Sequence, residues 1–251
     1  MDHLTHSRRL RQLLRLCRHQ IESRKECGQF RSQADIALIA FMELAVSHAA
    51  AVHALSEKHF DFSLSALCCA RSAFEAGVIA VWIGQPELPF AREGRWIGFF
   101  RKLGKFYEEQ GEFLEKTTPG LGADMTAAFD KTDAIFTDLV HKYPEIKVEG
   151  TPNVRQILKT NGYEHLYAGY KSASQVVHSG PETIIRQRHK DDSPDALYRV
   201  GLGEWTNACI MAGWGAAVAT YTAMWRTGTS KQDLKPLIDA HTRFNNTLAS
   251  E

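Results

Sequence analysis

The sequence predicts an all-α fold, a bundle of about seven to nine helices packed mostly antiparallel. Three observations predict it. Apolar residues recur every three or four positions through long segments, the period of one helix face, and no train of alternating strands appears. Gly and Pro stop signals separate those segments. The connections are short, which sends each helix back along the one before it. No repeat of fixed period and no low-complexity tract interrupts the pattern.

Residues 1–31 open the chain as a basic amphipathic helix, with Leu10, Leu13, Leu14, Cys17 and Ile21 on one stripe. Eight Lys/Arg stand there against three acids, a local charge of +5. Such a face is either simply solvated or turned towards RNA, acidic lipid or an acidic partner helix. Glu22 and Glu26 interrupt the acid-poor pattern of a transit peptide. Residues 32–58 are Ala- and Leu-rich without Gly or Pro, so a second long helix follows. Asp61 or Ser63 caps a third, which runs to Trp82 and stops at Gly84 and Pro86.

A fourth helix is expected over residues 87–115, with Phe90, Trp96, Phe99, Phe100, Leu103, Phe106 and Tyr107 on its apolar side and a break at residues 117–120. Residues 121–142 read as a fifth, and 143–152, with two prolines and a glycine, as the loop between two halves. A short helix over 154–160, a turn at Asn161-Gly162 and a helix over 163–178 come next, the last ended by Ser179, Gly180 and Pro181. Residues 182–194 are polar, an exposed loop or short hairpin. A long helix from about 194 to Trp225 and a last one over 230–248 complete the chain. Three segments result: the basic helix 1–31, a bundle core 32–228 and a C-terminal helix 229–251.

Between Glu204 and Arg226 lie 21 residues without a charge, long enough to cross a bilayer. Ala, Gly, Thr and Asn dominate there, which predicts instead a central buried helix, with Gly213 and Ala217 offering a small-residue surface to a neighbour. No membrane partner is expected.

The 251 residues are 44% hydrophobic and 24% charged, enough for a sizeable core and too apolar for disorder. Lys plus Arg number 30 against 29 for Asp plus Glu, a net of +1, so any charge-driven partner must meet a local patch. Cys17, Cys27, Cys68, Cys69 and Cys209 form no CxxC pair, and with no signal peptide ahead of them they predict reduced thiols in a cytoplasmic protein.

Two constellations could carry chemistry. Arg71 and Glu75 are four apart on one face of an otherwise apolar helix, so both are expected half-buried and bonded to each other, either as an ion pair tying helices together or as part of a site. Tyr163, Tyr167, Tyr170, Ser174 and His178 recur every three or four positions, an amphiphilic stripe suited to a bonded seam or a pocket wall. His178 ends its helix, where the dipole favours the imidazolium and prepares a general acid. Neither a metal nor a cofactor is expected: Glu43, His48 and His53 do not share a face, and HExxH, GxSxG and Gly-rich phosphate loops are absent.

The Cys-Ala-Arg71-Ser72-Ala-Phe-Glu75 helix, with the later Tyr170, Ser174 and His178-Ser179-Gly180-Pro181, resembles a bacterial all-helical family of unknown function whose motifs are Arg-Ser-x-x-Glu and Ser-x-x-x-His. That family is in turn distantly similar to the HEPN (higher eukaryotes and prokaryotes nucleotide-binding) bundles; the resemblance covers roughly residues 35–225. It implies a metal-independent ribonuclease of toxin or phage-defence type, acting as a homodimer through an Arg and a His separated by four to six residues. Here no Arg has that relation to a His: Lys171 has six residues between it and His178, and Arg186 has two between it and His189. On this reading His178 is the general acid or base, Arg71 or Lys171 holds the phosphate, Glu75 orients its neighbours, and Tyr170 and Ser174 contribute to binding. The alternative is a non-catalytic helical module for a nucleotide, nucleic acid or protein partner, with the basic face of the first helix and the Arg186, Arg188, His189, Lys190 loop as contacts. A helical metalloenzyme is a third reading. His178 is further expected beside the Arg71/Glu75 pair, making one polar site.

Overall fold

A computed structural model describes residues 3–24, 32–177 and 194–249. The helices are α1 (His3–Arg24), α2 (Gln33–Ser56), α3 (Ser63–Gly84), α4 (Pro89–Lys102), α5 (Gly104–Thr117), α6 (Leu121–Lys142), α7 (Val154–Thr160), α8 (Tyr167–Val177), α9 (Pro194–Arg226) and α10 (Lys231–Ala249), with 3-10 turns at Phe60–Phe62 and Glu164–Leu166. Among the described residues there is no strand, so the fold is the expected all-α bundle. Two compact units share the chain. The first is built from α1, α2, α3 as far as Trp82, and α7 to α10; the second holds residues 32–34 and 83–152, hence α4 to α6.

In the first unit α9 is the central helix, and every residue from Met211 to Thr220 is buried. The uncharged stretch is thus a core helix, as its Ala- and Gly-rich composition suggests. Its partners run both ways. Tyr163 and Gly169 meet Trp214 and Asn207 in reverse order, so α8 and α9 are antiparallel; α9 and α10 are joined by a short turn and reverse likewise. Ser63 bonds Glu204 while Phe74 packs on Trp214, so α3 runs parallel to α9. The parallel pair is separated by a long stretch of chain, which leaves room for a crossover that a short connection does not allow.

Close packing around α9 uses two opposite faces. Gly213 receives the Phe244 ring of α10. The nearest backbone approach is to α3: a Cβ added at Gly77 would lie 2.7 Å from the Gly215 Cα, where no side-chain carbon fits. Gly213 thus offers a small-residue surface to α10, and Gly215, half a turn away, offers a second one to α3. By length and composition, α2 and residues 60–84 are long and apolar enough to cross a membrane; 61% of the most apolar window of 60–84 is buried in the fold, against 44% for α2. Cys17 and Cys209 are fully buried, and burial pushes both thiols up to about 12.

The second unit gathers Ile97, Phe136 and Ile146 into a core against Trp96, Phe100 and Tyr143. The helix expected over 87–115 is broken at Leu103, whose N–H bonds the Phe100 carbonyl at 3.0 Å, so α4 and α5 are two rods. Phe129 of α6 explains the break: its ring stacks on Phe100 at 4.9 Å and fills the space beside Gly104. Beyond α5, the Glu115 carboxylate accepts from the Gly120 and Ala123 N–H groups, turning the chain into α6. Residues 143–152 form the expected irregular connection, anchored by buried Ile146.

The helix expected over 163–178 begins later. Asn153 and Gln156 form a capping box for α7. After it Gly162 takes a positive φ of 78°, Tyr163 bonds back to Leu158, and α8 starts only at Tyr167. Tyr163 thus leaves the stripe of Tyr167, Tyr170 and Ser174 and packs on Trp214 instead, with ring centroids 5.2 Å apart.

Candidate functional site

α3 carries Arg71 and Glu75 on one face, and α8 carries Tyr170 to them. The Arg71 Nη2 donates to Glu75 Oε1 at 2.9 Å, and the Tyr170 hydroxyl donates to the same oxygen at 2.7 Å. The guanidinium also lies 5.6 Å from the Tyr170 ring centroid. Arg71 is 20% exposed and Glu75 36%, so the pair is mostly buried and bonded, as the apolar helix around it requires. An Arg placed before its Glu is the poorer order for a helical pair. Tyr170, 95 residues away, supplies the second donor that offsets it.

Burial works against the Arg71 cation, but the Tyr170 hydroxyl and the Glu75 carboxylate outweigh it and hold the guanidinium above its ordinary value. Burial, reinforced by the bond to Glu75, also holds the Tyr170 phenol above its own. Both groups are therefore fixed donors at neutral pH, and neither exchanges a proton there. Burial likewise raises the neighbouring Cys68 thiol, against the pull of the Arg71 charge. The arrangement is a clamp on a carboxylate.

Ser72, Ser174 and Lys171, also singled out in the sequence, do not join it. Ser72 turns its hydroxyl back to the Cys68 carbonyl at 3.3 Å, and Ser174 turns its own to the Tyr170 carbonyl at 2.9 Å. Lys171 is exposed on α8, one residue on from Tyr170 and so rotated about 100° from it. His178, Arg186 and Arg188, with His189 and Lys190, lie outside the described residues, and so does the expected meeting of His178 with the Arg71/Glu75 pair. Among the described residues, no group of three or more His, Cys, Asp or Glu stands close enough to hold a metal ion.

Two further polar sites went unnoticed in the sequence. Ser7 Oγ lies 2.6 Å from His53 Nδ1 and also bonds the Ser56 hydroxyl, while His53 Nε2 faces Glu57 at 3.5 Å. A hydroxyl, an imidazole and a carboxylate in series are the parts of a nucleophilic triad. Ser7 is only 1% exposed, however, so no substrate carbonyl reaches it, and the seam serves to tie α1 to α2. Burial, together with the charges of Arg11 and Arg18, lowers the His53 pKa against the pull of Glu57. The signal for this seam was a hydroxyl at position 7 in line with Leu10 and Leu14 on the apolar stripe.

The second is a groove between α1 and α10. Arg9 and Arg15 line it from α1 and Arg243 from α10, together with Leu13, Leu16 and Phe244, and its volume is about 510 Å³. Arg8, Arg11, Arg15 and Arg18 also follow one another at spacings of three, four and three along the exposed side of α1. Arg15 belongs to both. The fold and these surfaces define an all-α protein with a cationic helix at its face. No known protein family matches the chain, and no curated protein or solved structure is significantly similar to it.

Proposed function

We propose that this chain is a non-catalytic helical module that binds nucleic acid through the arginine face of α1. One observation supports the reading above others: Arg8, Arg11, Arg15 and Arg18 share a single exposed face over about 15 Å of helix. Arg11 stands 3.9 Å from Glu57, a loose pairing, while Arg8, Arg15 and Arg18 make no bond to a carboxylate among the described residues. With a net charge of only +1 overall, this stripe is a local concentration of cations of the kind that tracks a phosphate backbone. The ribonuclease reading draws less support, because Arg71 is committed to Glu75 and Tyr170 rather than presented to a phosphate.

The test is fluorescence polarisation of the full chain with a labelled single-stranded RNA oligonucleotide. Binding is expected, with log K falling against log salt at a slope of about −2 to −3 for three or four phosphate contacts. The double variant Arg8→Glu/Arg18→Glu is expected to weaken it at least tenfold with unchanged helicity, and the RNA to be recovered intact. Equal affinity of the double variant would sink the proposal. RNA cleaved by the native chain but not by His178→Ala would hand the protein to the ribonuclease reading.

A further inference from the structure

We infer that RNA binding on the arginine face of α1 is coupled to proton uptake at His53, through the Glu57 carboxylate that His53 shares with Arg11. The inference rests on the nucleic-acid reading and adds its regulation. Arg11 Nη1 lies 3.9 Å from Glu57 Oε1, and His53 Nε2 lies 3.5 Å from that same oxygen. Arg11 belongs to the exposed stripe, so whichever cation holds Glu57 decides how far Arg11 is free for a phosphate.

A count of donors fixes the state of the ring. The Ser56 hydroxyl donates to the His53 carbonyl at 2.6 Å, which uses its only proton. In its bond with Ser7 it therefore accepts, and the Ser7 hydroxyl is the donor. With that proton committed, Ser7 Oγ accepts from His53 Nδ1 at 2.6 Å. The neutral imidazole thus carries its proton on Nδ1 and turns a bare Nε2 towards the carboxylate. Two lone pairs face each other there, and one added proton makes the contact a charge-assisted bond while every bond of the seam stays in place.

The charged groups facing the ring are Glu57 on its own helix and Arg11 and Arg18 on α1. Burial and the two arginines oppose the imidazolium and Glu57 favours it; the opposition wins, and the ring is neutral at pH 7. A phosphate strand along α1 offsets the two arginines and brings negative charge near the ring, so it removes part of that opposition. The converse follows by linkage: an imidazolium engages Glu57 and releases Arg11 to the strand, so acid tightens the complex.

Fluorescence polarisation of the full chain tests this at pH 7.5 and 5.5, with an oligouridylate whose bases and phosphodiesters keep constant charge in that range and a dye that does not titrate. From pH 7.5 to 5.5 the affinity of the native chain is expected to rise at least about threefold more than that of His53→Asn, which keeps an N–H for Ser7 and takes up no charge. Glu57→Gln is expected to bind at least about twofold tighter than the native chain at pH 7.5, and with a shallower pH dependence. Nitrogen NMR of the native chain is expected to show the neutral His53 ring protonated at Nδ1, titrating at higher pH with the oligouridylate than without it. This measurement needs no variant to fold. An equally steep pH dependence in a folded His53→Asn, a neutral ring protonated at Nε2, or a His53 titration unmoved by RNA would each overturn the coupling and leave the RNA-binding reading standing. Absence of RNA binding at both pH values would overturn both.

Discussion

The carboxylate of Glu75 takes one bond from its own helix and one from another, and the two donors are not equivalent. Arg71 brings a full charge to Glu75 but loses solvation in doing so, while Tyr170 brings a neutral hydroxyl already pointed by ring packing on Phe74, with centroids 5.9 Å apart. Removing the hydroxyl leaves the ion pair standing, so Tyr170→Phe is expected to cost about 1 kcal/mol. Arg71→Ala leaves a mostly buried carboxylate with only a phenol for support, at an expected cost of about 2 kcal/mol. In thermal unfolding the Arg71 variant should melt several degrees below the native chain and below Tyr170→Phe. Melting curves that reverse this order would show that Tyr170, not the charge, governs the clamp. The Arg71/Glu75 partnership was legible in the sequence from spacing alone, because four residues on a helix are neighbours whatever the fold. Nothing local in the sequence says that Tyr170, rather than Tyr163 or Tyr167, meets them.

At the scale of the element, α9 shows how one helix serves two neighbours at different distances. A large ring fits beside Gly213, whereas at Gly215 a Cβ would meet the Ala73 carbonyl and the Phe74 amide, backbone atoms that cannot swing aside. Replacing a helical Gly by Ala gains about 1 kcal/mol of propensity. Forcing extra volume into a packed backbone contact costs about 1–3 kcal/mol, so at Gly215 the cost wins. Gly203 lies in the same helix, exposed, with nothing near its missing Cβ, and there the propensity gain stands alone. Gly203→Ala is expected to raise the urea midpoint and Gly215→Ala to lower it. The same sign for both substitutions would refute the close approach of α3 and α9. The break at Leu103 has a similar origin: the periodicity of residues 87–115 is continuous, and the rod divides where the Phe129 ring packs on Phe100 and beside Gly104.

For the molecule as a whole, two histidines contribute to how stability responds to acid. His241 is pushed down to about 4 by burial, with Asn245 donating to its Nε2, and burial, with the charges of Arg11 and Arg18, lowers His53 as well. Both imidazoles are thus neutral in the folded chain at pH 7 and take up protons more readily when unfolded. Their contribution is complete above the ordinary histidine value near 6.5 and is lost as pH falls from there towards the folded value. For His241 the loss amounts to about 3 kcal/mol by pH 4, most of it gained between pH 6 and 4. Urea midpoints are expected to hold from pH 7.5 to about 6.5 and to fall from there to pH 5, and His241→Asn to flatten that fall. An unchanged slope in the variant would mean that the acid response comes from elsewhere.

What the sequence by itself determined is everything that depends on neighbours within a turn or two: the helical class, the buried stripe of α1, the core character of residues 205–225, the Arg71/Glu75 pair and the arginine face of α1. Helical period and side-chain polarity suffice for these, because hydrogen bonds from i to i+4 and burial of one face are local consequences of residue order. Only the tertiary structure decided that Tyr170 closes on Glu75, that Gly215 meets α3, that Ser7 reaches His53, and that Arg243 joins Arg9 and Arg15 around one groove. Each of these joins residues from helices remote in the chain. Such a meeting depends on which helix faces pack together and at what depth, and periodicity specifies the face of a helix but not the partner laid against it.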